Sequence, residues 1–339
     1  METEKIGIKS LGTYFPKNKF SAKQIAEATE GVWSESAIIE KLGINEKFIA
    51  SQEDGTQEMG VKAALKAIEN AQINPLEIDV ILSIGEEWKE FPLTTTAIYI
   101  QEKIGATNAW GIDLQQRCAT GISAMKIAKD MMLSDPDIRT VLIAGGYRNG
   151  DFLDYTDKSM SMMFNLAAAG GAIILQKGYT KNLVLGSHIM SDGTMARDAG
   201  VVFGGTENPI NAENYQKAYR SLTLMNEKHM KDRLNEVSMK NWLFCIDRAF
   251  EKSNLPSRKI DYLAILHIKR SMHDFMLETL NLKPVQSFYM ENIGHAGQID
   301  QIISIEHGIK SGKIKSGNII CQIAAGIGYA WAANVIKWG

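Results

Sequence analysis

Cysteine is scarce in this chain. Three cysteines, at 118, 245 and 321, are spread over 339 residues, too few and too scattered for a disulfide framework or a cysteine-rich zinc site. Charge of one sign is also missing. The net charge is −2 and no long run of like charge occurs, which argues against a non-specific nucleic-acid binder. No apolar run approaches the ~18 residues needed to span a bilayer. The opening Met1-Glu2-Thr3-Glu4-Lys5 lacks the apolar core of a signal peptide, so a cytoplasmic location and no membrane association are expected. Proline is rare as well, at 7 residues against 29 glycines, a balance that suits many tight strand-to-helix turns.

What remains is an ordinary water-compatible composition, 45% hydrophobic and 22% charged, long enough for two domain-sized units with large cores. Short β-rich runs recur at Val80–Ile84, Val141–Gly145, Ala172–Leu175, Leu183–Leu185, Tyr262–His267, Ile319–Ala324 and Ala333–Trp338. Several are near-continuously apolar, as strands covered on both faces should be. Helical patterns lie between them at Thr56–Asn70, Ile122–Met132, Asn241–Glu251 and Gln301–Lys310. This alternation predicts an α/β protein.

The chain also repeats itself. Ala67-Ile68-Glu69-Asn70-Ala71-Gln72-Ile73 matches Ala249-Phe250-Glu251-Lys252-Ser253-Asn254-Leu255, and both lead through a polar, proline-containing turn into Ile-Asp and an apolar strand. The offset is 182 residues at Ile78 and Ile260, and 178 at Val141 and Ile319. Nearly equal offsets predict a tandem duplication, here divided as 1–178 and 179–339. Equivalent loops of the halves then converge near a pseudo-twofold axis. Cys118 opens the helical pattern after Gln116-Arg117, where the helix dipole favours thiolate. Displaced by one repeat it falls in the loop Gly294–Asp300, which holds His295; His267 displaced backwards falls on Gly85, beside Glu86. A thiol that needs proton-transfer partners accounts for both histidines. Cys245 and Cys321 read as core, and His188, His229, His273 and His307 as packing or solvated residues.

Taken in order along the whole chain, these segments resemble the thiolase superfamily, in particular its 3-oxoacyl-[acyl-carrier-protein] synthase III branch. The resemblance rests on Gly7–Pro16, on Lys41-Leu42-Gly43-Ile44-Asn45-Glu46-Lys47, on Phe91-Pro92 with the pattern leading to Ile104-Gly105, on the nucleophile block Asp113–Gly121, on Leu266-His267, and on Gly326-Ile327-Gly328-Tyr329-Ala330-Trp331. It implies a duplicated five-layer αβαβα fold and a homodimer. It also implies acylation of Cys118 by a thioester, without metal or tightly bound cofactor. His267 then assists loss of carbon dioxide from a malonyl thioester, and backbone groups of the Gly326–Gly328 loop hold the oxyanion. Acyl-coenzyme A and acyl carrier protein are the implied partners.

Departures from the family pattern are as informative. The family's catalytic asparagine is His295 here, giving two imidazoles beside Cys118; neutral imidazoles still donate to an oxyanion. Asp300 reads either as a carboxylate that orients His295 or as a cap on Gln301–Lys310. The first resembles side-branch members that pass an acyl group to a hydroxyl or amine. Condensation is the leading expectation, transfer the second, and a non-catalytic partner subunit the third. The family's adenine-stacking tryptophan is Ala37 and its arginine Lys41, and Ile268-Lys269-Arg270 replaces Gln-Ala-Asn. With Ala167–Gly171 replacing a Gly-Asp-Gly-Ala-Gly block, these changes point from housekeeping fatty-acid initiation toward a specialised lipid or secondary metabolite. Lys41, Lys269 and Arg270 are expected to contact the thioester's carrier; Lys252, Arg258 and Lys259 extend that basic set. Glu86 reads as part of a solvated acidic loop, with a role as base the second option, and Arg117 as lining or pairing structurally.

Overall fold

A computed structural model describes residues 4–339. Nine strands carry the architecture: β1 (Ile6–Tyr14), β2 (Val80–Ser83), β3 (Trp110–Asp113), β4 (Thr140–Tyr147), β5 (Ala169–Lys177), β6 (Leu183–Ser191), β7 (Tyr262–Ile265), β8 (Ile319–Gly326) and β9 (Ala330–Lys337). Hydrogen bonding orders them β7-β8-β9-β6-β1-β5-β4-β2-β3. Every residue of β2, β4 and β7 is buried, so their apolar runs are covered on both faces.

The pairing pattern is written twice. In the first half β2 pairs parallel with β4, β4 antiparallel with β5, and β5 antiparallel with β1. In the second, β7 pairs parallel with β8, β8 antiparallel with β9, and β9 antiparallel with β6. Beside β2 lies β3; the equivalent place beside β7 is taken by Ser287, bridged parallel to Leu263. Among the described residues the two half-sheets pair only at Gly7 with Leu183, beside which the Ile8 amide donates to the Asn182 carbonyl at 2.9 Å. Four helices complete the layers. Helix α1 (Thr56–Ala71) covers β1, β4 and β5 from outside, and α3 (Glu227–Glu251) covers β6, β8 and β9. Between the half-sheets lie α2 (Thr120–Ser134), touching strands of both halves, and α4 (Asp300–Lys310), touching β1, β5 and β7. The result is the αβαβα stack.

Two elements depart from the sequence reading. β1 is a nine-residue strand despite two glycines, a lysine and a serine. A bulge between Ile8 and Ser10 shifts its register, and Ser10 donates to the Ala67 carbonyl of α1 at 2.6 Å. The run at Tyr262 stops pairing at Ile265, so His267 lies beyond the strand, in the loop that opens over its C-terminal end. Among the described residues no helix is long and apolar enough to cross a membrane.

One buried charge ties the loops together. Lys47, fully buried in the short strand Glu46–Ile49, donates from Nζ to the Phe164 and Leu166 carbonyls, both at 2.7 Å, and to the Tyr155 hydroxyl at 2.8 Å. Burial pulls its pKa down to about 7, with Asp151 the charge that opposes the fall. Lys47→Met keeps the chain length and removes all three donors. Leaving two carbonyls orphaned, it is expected to cost about 2 kcal/mol, part of the loss being offset by removal of a desolvated charge; urea denaturation measures it.

Candidate active site

Cys118 sits in a single 3₁₀ turn, Arg117–Ala119, that runs directly into α2. The turn is held in a costly shape. Arg117 has φ +53°, a left-handed value rare for a residue with a side chain. Local bonds keep it there: Thr120 Oγ1 accepts from the Gln116 amide at 2.8 Å and donates to the Arg117 carbonyl at 2.6 Å. The Arg117 guanidinium donates to Glu86 at 2.8 Å and to Glu87 at 3.3 Å. Against this turn rests Gly326, at the end of β8. A Cβ there would stand 2.5 Å from the Gln116 carbonyl oxygen, so only glycine lets the terminal glycine-rich loop approach the thiol.

His295 comes 177 residues later in the chain, and its Nε2 stands 3.2 Å from Cys118 Sγ. Its own loop is fixed on both sides. The His295 amide donates to the Asn165 carbonyl, and the Ala167 amide donates to the His295 carbonyl, both at 2.8 Å. The preceding Gly294 has φ +86°, and a Cβ there would meet Asn165, Ala167 and Lys47 at 2.8 Å. Behind the ring, Asp300 is fully buried in the first turn of α4. Its Oδ2 accepts from His295 Nδ1 at 2.5 Å and from the His267 backbone amide at 2.7 Å, while Oδ1 accepts from the Ala296 amide at 2.8 Å. Of the two roles open to Asp300, orienting the ring is therefore the observed one. The residue capping α4 is Ile299, which has no side-chain bond to give.

His267 reaches the same carboxylate through its backbone and is 2% exposed. Its Nδ1 stands 3.1 Å from Asn165 Nδ2, whereas its Nε2 is buried without a partner among the described residues. The two imidazoles are polarised in opposite directions. Burial opposes charge on His295, yet Asp300 and Cys118 outweigh it and hold its pKa well above the usual value. Burial dominates at His267 and pulls it down to about 4, against the attraction of Asp300. The His295 ring is favoured for taking up a proton beside sulfur, and the His267 ring is held toward the neutral form.

Glu86 corrects the sequence reading. Glu87 is solvated, but Glu86 is 4% exposed and paired to Arg117 directly before Cys118. Burial raises its pKa, opposed by that guanidinium. Arg117 thus pairs structurally. Cys245 and Cys321 are wholly buried, and burial pushes both thiols up to about 12. Of the basic residues, Arg270 lies against Tyr289, whose ring is 4.9 Å from that of His267. The Arg270 guanidinium lies 3.5 Å from the Tyr289 ring centre and pairs with Glu291. Exposed Lys269 precedes the helix Arg270–Thr279. Exposed Lys41 lies 5.7 Å over Trp33, two residues before Gly43, which packs against the Tyr289 hydroxyl. Arg258 and Lys259 pair locally with Asp247 and Asp261, and Lys252 donates to the Ser187 carbonyl, so these three do not form one uncompensated basic face. Gly328 follows Gly326 in the loop, with φ +119° and open space around it. Among the described residues no group of acidic, histidine and cysteine side chains could hold a metal ion. Missed in the sequence were Asn165, Lys47 and Tyr147, whose ring lies 6.1 Å from His295. The signal for Asn165 was a single amide inside the otherwise apolar run Met162–Ala169.

The two depressed imidazoles dictate an acid limb. His273 is also lowered by burial to about 4. Both lie below the ordinary value of 6.5, so their stability contribution is present above about pH 6.5 and is lost as pH falls toward 4. The raised His295 contributes fully below that point and does not mask the effect. Unfolding free energy is expected to drop by about 2 kcal/mol from His267 between pH 7 and pH 5, with His273 adding to it. Urea midpoints across that range measure the drop, and His267→Leu removes its share.

The chain matches known proteins over the same segments. Residues 112–193 match the model of 3-oxoacyl-[acyl-carrier-protein] synthase III, and residues 250–338 match the model of its C-terminal region. Cys118 lies in the first; His267, His295 and Asp300 lie in the second. The chain is 26% identical to the beta-ketoacyl-[acyl-carrier-protein] synthase III of Clostridioides difficile, over 98% of both chains. It is 25% identical to that of Microcystis aeruginosa, over 98% of this chain and 97% of the other. The crystal structure of 3-oxoacyl-[acyl-carrier-protein] synthase III from Aquifex aeolicus superposes with a TM-score of 0.82 at 21% identity, covering 99% of this chain and 100% of that one. With two family models covering Cys118 and both imidazoles, and with the duplicated αβαβα fold, the chain belongs to the 3-oxoacyl-[acyl-carrier-protein] synthase III family of the thiolase superfamily, acyl-thioester condensing enzymes.

Proposed function

We propose that the chain acts through an S-acyl Cys118 and joins that acyl group to a malonyl-type thioester by decarboxylative Claisen condensation, in a specialised lipid or secondary-metabolite pathway. The observation that carries this reading is the opposite polarisation of two imidazoles on one buried carboxylate. In the first half-reaction Sγ attacks the thioester carbonyl while His295 Nε2 takes its proton. The tetrahedral oxyanion faces backbone N–H groups of the nucleophile turn and the Gly326–Gly328 loop, and it collapses by expelling the carrier thiolate, which takes the proton back. In the second, the bond from the malonyl carbon to its carboxylate breaks. Carbon dioxide leaves and the electron pair moves onto the thioester oxygen, where a neutral His267 can donate to it. The enolate carbon then attacks the acyl-enzyme carbonyl and Cys118 leaves as thiolate.

Carrier protein and coenzyme A thioesters are the proposed donors, taken past Lys41, Lys269 and Arg270. The matched relatives are named for acting on the carrier-protein form. A homodimer is proposed with them; Phe91 and Leu93, 69% and 104% exposed, leave apolar surface for a second copy. One observation favours a second reading. The Cys118–His295–Asp300 line has the form of a nucleophile, base and orienting carboxylate, which suits transfer of the acyl group to a hydroxyl or amine. The same intact line speaks against a non-catalytic partner subunit. As a base, Glu86 is disfavoured by its pairing with Arg117.

Intact mass spectrometry after incubation with acyl carrier protein or acyl-coenzyme A is expected to show one added acyl group, absent in Cys118→Ala. Malonyl thioester is then expected to release carbon dioxide. His267→Ala should slow that release on the order of 10²-fold. Acylation without carbon dioxide release, together with full activity of His267→Ala and loss in Asp300→Ala, selects the transfer reading. No adduct with any donor removes both.

A further inference from the structure

One loop residue is bonded to both histidines, to one through its backbone and to the other through its ring. Asn165 is 7% exposed and starts the segment that enters β5. Its carbonyl accepts from the His295 amide at 2.8 Å, and its side-chain Nδ2 stands 3.1 Å from His267 Nδ1, 102 residues away. The residues on either side of it are gripped by one buried ammonium, since Lys47 Nζ holds the Phe164 and Leu166 carbonyls. The backbone at Asn165 is thus held by its own bond to His295 and by the ammonium on both neighbours before its carboxamide meets the ring.

We propose that Asn165 is a positioning residue that sets the tautomer of His267, keeping Nδ1 as an acceptor and the single ring proton on Nε2. A carboxamide nitrogen can only donate, so the Nδ1 facing it must carry a lone pair. A neutral imidazole has one proton, which then resides on Nε2, the buried atom with no partner. Leaving a polar atom orphaned in the interior costs free energy. It is tolerated where a substrate atom supplies the missing partner, and an N–H meets an oxygen that gains negative charge. His267 therefore serves as a hydrogen-bond donor to the enolate oxygen and not as a base. This deepens the condensation reading and rests on it for the identity of that oxygen, but the tautomer itself does not.

Asn165→Asp is nearly isosteric and inverts the bond, because a carboxylate can only accept. It pulls the proton to Nδ1 and turns Nε2 into a lone pair. The test is long-range ¹H–¹⁵N correlation on the full chain labelled at histidine nitrogen, at pH 7, with the His267 signals identified by their loss in His267→Gln. The expected result is the Nε2–H tautomer in the native chain and the Nδ1–H tautomer in Asn165→Asp. The rate of carbon dioxide release from malonyl thioester, relative to the rate of Cys118 acylation, should fall on the order of 10²-fold in that variant. Asn165→Ala, which removes the lock without inverting it, should give a mixture of tautomers and an intermediate ratio, and it serves if the aspartate variant does not fold. An Nδ1–H tautomer in the native chain, or an unchanged tautomer in both variants, overturns the proposal even if carbon dioxide is released. The expected tautomers with no carbon dioxide release would instead remove the condensation reading while leaving Asn165 in its role.

Discussion

The buried carboxylate of Asp300 is the interaction on which the site depends. It is fully enclosed and accepts from the His295 ring, the His267 amide and the Ala296 amide. A charge removed from water is tolerated only when its lone pairs are met, and three donors meet them here. Asp300 opens α4, where the positive end of the helix dipole adds to that compensation. By fixing one ring through its nitrogen and the other through its backbone, a single group makes two imidazoles from separate loops share one frame of reference.

The supporting scaffold works by the same economy. The strained Arg117 turn carries the sulfur, and its guanidinium is anchored on Glu86, from the loop after β2. His267 lies in the equivalent loop after β7. The two halves have therefore specialised matching loops for different tasks: one braces the nucleophile and the other presents an imidazole. Lys47, reaching across to the segment before β5, adds a third brace.

Much of this was legible in the residues, and the boundary has physical causes. Helix α1 and strands β2, β4, β7 and β8 announced themselves because burial on one or both faces dictates a periodic or continuous apolar pattern. The repeat offset predicted that the loop of Cys118 would meet the loop of His295, and the two atoms stand in contact. β1 was obscure because its polar residues are satisfied by a helix carbonyl and a bulge, which no local pattern encodes. Glu86 was misread for a related reason. Its sequence neighbours are charged and solvated, and only a partner 31 residues away explains its burial. Asn165 and Lys47 act over 102 and 117 residues, and a lone amide or ammonium carries no mark of what it will face.

The joint between the half-sheets has a consequence of its own. Among the described residues the strands cross it only at Gly7 with Leu183, beside the bonds of Ile8 to Asn182, so the central helices supply most of the adhesion. Sulfur is delivered from one side of that seam and its imidazole from the other. A nascent polypeptide thus emerges with Cys118 far from its imidazole, and the two meet only when the second half has docked. The contact of Cys118 with His295 is therefore a product of docking the two halves and belongs to neither half alone.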